Sequence, residues 1–226
     1  MREQLVATSI LYPERQTTLN IIEATPLSIG YGSVKQHLTA TIDGTNQVVS
    51  LIERNNDPLL VQGWLAMREA GIPTVPTLRQ TSRNTLLVTD VKADGSEVYG
   101  RGLAEQQIMS YLDPTVERQR LRPAMDQRFL KISAWHRFHK IRKAAINYAD
   151  RATDRGLCLP YDDPFEMLVR PDGSWGLIAL DVRETRREDN ERARDFLNKD
   201  VAEKFLNAIQ GLRKDLLRRV VTPPAA

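Results

Sequence analysis

Cysteine is almost absent: Cys158 is the only thiol among 226 residues. That excludes an internal disulfide framework and makes a reducing, cytoplasmic compartment the expectation. Long hydrophobic runs are missing too, and no window approaches the roughly 18 uninterrupted apolar residues of a membrane span. Met1-Arg2-Glu3-Gln4 offers neither the basic stretch nor the apolar run of a secretory signal. An excess of one charge is also slight, since 32 Lys and Arg face 29 Asp and Glu. Eleven basic and eight acidic residues between Arg183 and Arg219 account for the whole +3. Mixed signs at helical spacing describe a solvated helix face before they describe a nucleic-acid patch.

What is present is a globular chain, 41% hydrophobic and 27% charged, long enough for one large domain or two small ones. Ile21 to Ile29, Val34 to Ile42 and Val48 to Glu53 alternate like strands of an antiparallel meander, with Asp43-Gly44-Thr45-Asn46 as a turn. Asp57 can N-cap a helix carrying Leu59, Leu60, Trp64, Leu65 and Met67 and ending at Gly71. Val75 to Leu78 and Thr85 to Val91 return to strand. Phe129, Ile132, Trp135, Phe138, Ile141, Ala145, Tyr148 and Ala152 predict one long amphipathic helix closed near Gly156. Met167-Leu168-Val169 and Trp175 to Val182 flank Arg170-Pro171-Asp172-Gly173-Ser174, a hairpin signal. A second long helix runs through Phe196, Val201, Phe205, Ile209, Leu212 and Leu216.

This order, a glycine turn among strands, a helix, two strands, a helical region and a hairpin ending in Asp181, resembles the protein-kinase-like superfamily. Gly71-Ile72-Pro73-Thr74-Val75-Pro76 resembles its aminoglycoside-phosphotransferase branch in particular. The resemblance spans roughly Leu27 to Val182. It implies an α+β, bilobal protein-kinase-like fold, with a β-rich N-lobe over residues 1–98 and a reduced, mainly helical C-lobe over residues 99–226. About 45 residues follow Asp181, fewer than full kinases carry.

The resemblance also assigns roles. Ile29-Gly30-Tyr31-Gly32-Ser33-Val34 is similar to a glycine-rich loop, which would place Gly30, Gly32 and Ser33 against nucleotide phosphates. Lys35 stands at the third glycine. Val49-Ser50-Leu51-Ile52 matches the family's Val-Ala-Ile-Lys with Ile52 at the lysine, and Arg54, two residues on, is the nearest cation. Its carboxylate partner would be Asp57 or Glu69. Thr89 to Val91 would offer backbone groups to an adenine ring. In Tyr161-Asp162-Asp163-Pro164-Phe165-Glu166, Tyr161 falls on the catalytic aspartate and Glu166 on the metal-binding asparagine, leaving Asp162 or Asp163 as the catalytic acid. Asp181, ending an apolar strand, would hold a metal with Glu166.

An unperturbed tyrosine is a poor base at neutral pH, and an isoleucine cannot neutralise a triphosphate. The first expectation is therefore a degenerate, pseudokinase-type module for binding, regulation or assembly, with an unidentified protein partner and retained nucleotide binding left open. The alternative is a divergent phosphotransferase using ATP and magnesium. A structural or nucleic-acid-associated protein using the basic C-terminal helix ranks last. His136 and His139, three apart, read as ordinary packing or surface histidines, and Cys158 as a small buried residue.

Overall fold

The computed structural model describes residues 3–26, 34–100, 127–132, 135, 138–161, 163–180 and 186–221. Gly30, Gly32, Ser33, His136, Asp162 and Asp181 lie outside them. The chain forms two compact units, Met1–Val61 with Val75–Ala93, and Gln62–Thr74 with Asp94–Ala226.

In the first unit β1 (Gln4–Ser9), β2 (Gln16–Pro26), β3 (Val34–Ile42), β4 (Val48–Asn55), β5 (Leu78–Thr81) and β6 (Thr85–Thr89) close into a barrel in the order β1-β2-β3-β4-β6-β5. The expected meander thus becomes a closed barrel. The reason is β1, whose pairing with both β2 and β5 leaves no open edge. Its alternation is short, with Leu5 and Ala7 inward and Val6 exposed. The β3–β4 turn follows the sequence expectation: Asp43 and Gly44 both take positive φ, at 47° and 71°, the geometry that matches strand twist. Leu5, Ala7, Leu19, Ile21, Leu38, Ala40, Leu51 and Leu87 fill the interior. Beyond them Glu53 is buried, accepting hydrogen bonds from Gln36 Nε2 at 2.5 Å and Thr85 Oγ1 at 3.1 Å. Both carboxylate oxygens are thereby satisfied, which a buried acid requires. The strand expected over Val75 to Leu78 begins only at Leu78.

The helix α1 (Pro58–Glu69) starts where Asp57 predicts, with Asp57 Oδ1 accepting the N–H groups of Leu59 at 3.0 Å and Leu60 at 3.4 Å. It stops at Gly71, whose φ of 69° suits glycine, as the Ile72 N–H reaches back to Met67 O. Residues Gln62–Thr74 group with the second unit, whereas the sequence reading kept everything to residue 98 together. Hydrogen bonds explain the difference. Trp64 Nε1 donates to Leu180 O at 3.1 Å, and the Ala179 N–H donates to Pro73 O at 2.8 Å. Arg151 also donates to Gly71 O at 2.7 Å.

The second unit contains β7 (Glu97–Gly100), α2 (His139–Asp154), β8 (Leu157–Cys158), β9 (Glu166–Val169), β10 (Trp175–Ile178), β11 (Arg186–Arg187) and the 31-residue α3 (Glu191–Val221). The single helix expected from Phe129 is broken: residues 127–130 are helical, with the Lys131 N–H bonded to Gln127 O, and α2 begins at His139. Trp135 Nε1 donates to Phe129 O at 2.8 Å, taking an acceptor that a continuous helix would give to the fourth residue on. Beyond Lys131 the bonds shorten to three residues, from Ile132 to Phe129 and from Trp135 to Ile132. The apolar spacing still buries all three side chains. Buried Ile141, Ala145, Ala149 and Ala152 give α2 its inner stripe, and α2 packs on α3. Phe165 stacks edge-on against Phe205 at 5.8 Å. The β9–β10 hairpin forms around Gly173, whose φ is 81°.

Candidate functional site

The candidate residues of the second unit lie in and around two chain segments with the same flanks. The first, 159–165, runs from β8 to β9, and the second, 179–185, from β10 to β11. Cys158 pairs with Arg186 at one end, and Glu166 pairs with Ile178 at the other. Two short ladders therefore join Cys158 to Arg186, 28 residues on, and Glu166 to Ile178, 12 residues on.

Asn198 fixes the first segment. It is completely buried on α3, where Oδ1 accepts the Leu159 N–H at 2.7 Å. Its Nδ2 donates to Leu157 O at 2.8 Å and to Thr153 Oγ1 at 2.9 Å. Sequence reasoning passed over this residue. The signal was a lone amide on the apolar stripe that continues through Val201, Phe205 and Ile209. Buried Pro160 and Pro164 bracket the tip of the segment.

At that tip Tyr161 is exposed, while Asp163 is half-buried. Lys204 donates to the Tyr161 hydroxyl at 2.9 Å and lies 4.3 Å from the ring centroid. A hydrogen bond to Asp200, then the one to Tyr161, holds the Lys204 ammonium above its usual pKa. Glu166, half-buried at the start of β9, pairs with Gly100 of β7. A Cβ at position 100 would lie 2.9 Å from Glu166 Cγ, so glycine is what leaves room for this side chain. Among the described residues no group of three His, Cys, Asp or Glu side chains could hold a metal ion. Glu166 and Asp163 thus do not supply a magnesium site by themselves.

In the first unit the expected face of β4 is real. Ser50, Ile52 and Arg54 alternate with the buried Leu51 and Glu53 and point outward. Ile52 stands between His37 and Val88, and half-buried Arg54 between Val34 and Leu86. Thr89 pairs with Leu51, which puts it on the opposite face from Arg54. Its hydroxyl bonds to that of Thr77. Val91 is half-buried in the turn after β6. Asp57 is committed to its cap, and Glu69 is exposed at the end of α1.

The sequence reading also missed a cluster on the outward face of the barrel. His37 Nε2 lies 2.5 Å from Ser50 Oγ and 3.2 Å from Asp90 Oδ2, and Ser50 Oγ donates to that same oxygen at 3.4 Å. A carboxylate only accepts, so Nε2 carries the hydrogen toward Asp90. This is not a nucleophile triad, in which the acid holds the imidazole by its other nitrogen and leaves Nε2 to take the serine proton.

The remaining candidates are ordinary. Cys158 is buried and His139 exposed. On α3, Lys199 pairs with Asp195 and Asp150, Lys204 with Asp200 and Arg218 with Asp215, while Glu203 receives Arg142. These pairs describe a solvated, salt-bridged helix. No helix among the described residues is long and apolar enough to cross a membrane.

No protein-family model matches the chain, and no curated protein matches it in sequence. Among solved structures, a rhoptry kinase from Toxoplasma gondii is similar with a TM-score of 0.45 at 12% identity, over 83% of this chain and 51% of that one. A second rhoptry protein from that organism, described as a virulence factor with a protein-kinase fold and no enzymatic activity, gives 0.41 at 12% identity, over 84% and 56%. The chain spans about half the length of these two solved chains. Likeness at this level gives no residue a role.

Proposed function

We propose that this chain is a kinase-like module of the pseudokinase type, serving binding, regulation or assembly rather than phosphoryl transfer. The reading rests on the element order. A hairpin, β2–β3, carries the Gly30–Gly32 segment between its strands. Then come β4, α1, β5 and β6, and later the β8–β9 segment, the hairpin and the 181–185 segment. The observation that carries the loss of activity is the environment of Ile52. The active pattern requires a lysine there to grip the phosphates, and here an aliphatic side chain stands between His37 and Val88. His37 itself falls where the glycine-rich pattern ends in valine. Tyr161, at the place of the catalytic aspartate, is engaged by Lys204.

The common flanks of the 159–165 and 179–185 segments favour a second reading, a divergent phosphotransferase using ATP and magnesium. Arg54, Asp162 or Asp163, Glu166 and Asp181 would then replace the standard set. A nucleotide titration with and without magnesium, read by thermal unfolding, separates the two. At about 100 times the dissociation constant a true ligand adds roughly 2.7 kcal/mol of stability. No shift at millimolar ATP removes the phosphotransferase reading. A shift abolished by Asp181→Ala, together with ATP turnover, overturns the pseudokinase reading.

A further inference from the structure

Asp90 joins several chain segments at one end of the barrel. Its N–H donates to Ser50 O at 3.1 Å, and its carbonyl accepts the Ala93 N–H at 3.2 Å. Oδ1 accepts the Lys92 N–H at 2.9 Å, while Oδ2 receives His37 and Ser50. One residue earlier, the Thr89 hydroxyl is bonded to Thr77. These residues lie just before or after two of the points where the chain passes between its compact units, Thr74/Val75 and Ala93/Asp94. Both passages are therefore fastened to the same end of the barrel by side chains, beyond what the strand ladders supply.

We propose that the His37–Ser50–Asp90 cluster is a latch. It holds the root of the 90–93 turn in one conformation, with Thr77–Thr89 as its fixed half and His37 as its releasable half. Three observations carry this. The cluster uses the outward face of β3 and β4, whereas the hydrophobic core uses Leu38, Ala40 and Leu51 on the inward face. Opening it therefore removes no core contact. The His37 side chain is 30% exposed, against 15% for Asp90, so solvent and solutes reach the imidazole more readily than the carboxylate. Lys92 and Ala93 are exposed and both N–H groups bond to Asp90, whereas Asp94 and Gly95 are held by Ser96 and Arg128. A partner carboxylate that captures the imidazole would take His37 from Asp90 and loosen the turn.

Hydrogen exchange on the full chain tests the latch, comparing the wild type with His37→Leu, Ser50→Ala and Asp90→Ala. His37→Leu should speed exchange of the Lys92 and Ala93 amides about tenfold, the factor set by losing one hydrogen bond to a charged group. Asp90→Ala should speed it further, and the Leu38 and Leu51 amides should keep their wild-type rates in every variant. The double variant His37→Leu/Asp90→Ala should match Asp90→Ala alone, because both changes remove one shared contact. Wild-type exchange at Lys92 and Ala93 in His37→Leu overturns the latch. Equal acceleration at Leu38 and Leu51 overturns it as well, by making the cluster an ordinary stabiliser of the barrel. Should Asp90→Ala fail to fold, His37→Leu and Ser50→Ala still decide the matter, since both leave the Asp90–Lys92 bond in place.

Discussion

Asn198 Oδ1 accepts the backbone N–H of Leu159 at 2.7 Å, across 39 residues of sequence. The same amide donates to Leu157 O and Thr153 Oγ1, so one side chain ties the end of α2 and both sides of β8 to α3. Replacing it with alanine leaves a buried N–H, a buried carbonyl and a hydroxyl without this partner. Such groups cost about 1–3 kcal/mol each when unsatisfied, and water entry recovers part. Asn198→Ala should lose about 2–4 kcal/mol in urea unfolding. A loss indistinguishable from a surface substitution would show that the loop is held by other means.

Gly100 and Glu166 give a second prediction. The methyl group of Gly100→Ala would press on Glu166 Cγ, and overpacking at a buried position costs about 1–3 kcal/mol. The double variant Gly100→Ala/Glu166→Ala should recover most of that loss, as the obstructing atom is gone. Equal destabilisation of the single and double variants would place the clash elsewhere.

The Lys204 charge gives a pH dependence with a defined sign. Hydrogen bonds to Asp200 and then Tyr161 raise its pKa in the folded state. Its stabilising contribution is therefore complete below the unfolded value, about 10.4, and lost as pH rises through the folded one. Lys204→Met should be less stable than the wild type at pH 7, and the difference should close in alkali. A difference independent of pH would show that the ammonium charge is not what Lys204 contributes.

Asp57 provides the simplest measurement. Its carboxylate caps α1 through the Leu59 and Leu60 amides. Asp57→Ala should cost about 1 kcal/mol, whereas Asp57→Ser should retain most of the stability. If serine proves as damaging as alanine, the cap is not what Asp57 contributes.

The sequence by itself determined the features that depend on neighbours within a few residues. Asp43-Gly44 bends the β3–β4 turn because consecutive positive φ values suit those residues, and Gly173 does the same for β9–β10. Asp57 begins α1 and Gly71 ends it, while the apolar stripe of α3 buries Val201, Phe205, Ile209 and Leu216 as its spacing requires. That Ile52 and Arg54 share one face of β4 also followed from alternation alone.

Only the tertiary structure decided the rest. β1 closes the barrel by pairing with β5, some seventy residues away, and no local pattern names that partner. Trp135 Nε1 bonds to the Phe129 carbonyl, a side-chain claim on a helical acceptor that periodicity cannot register. Asn198, Gly100 and the His37–Ser50–Asp90 cluster acquire meaning from contacts between segments distant in sequence. Their residue types are unremarkable where they stand, and what singles them out is the cost of leaving a buried polar group unpaired or a close approach obstructed.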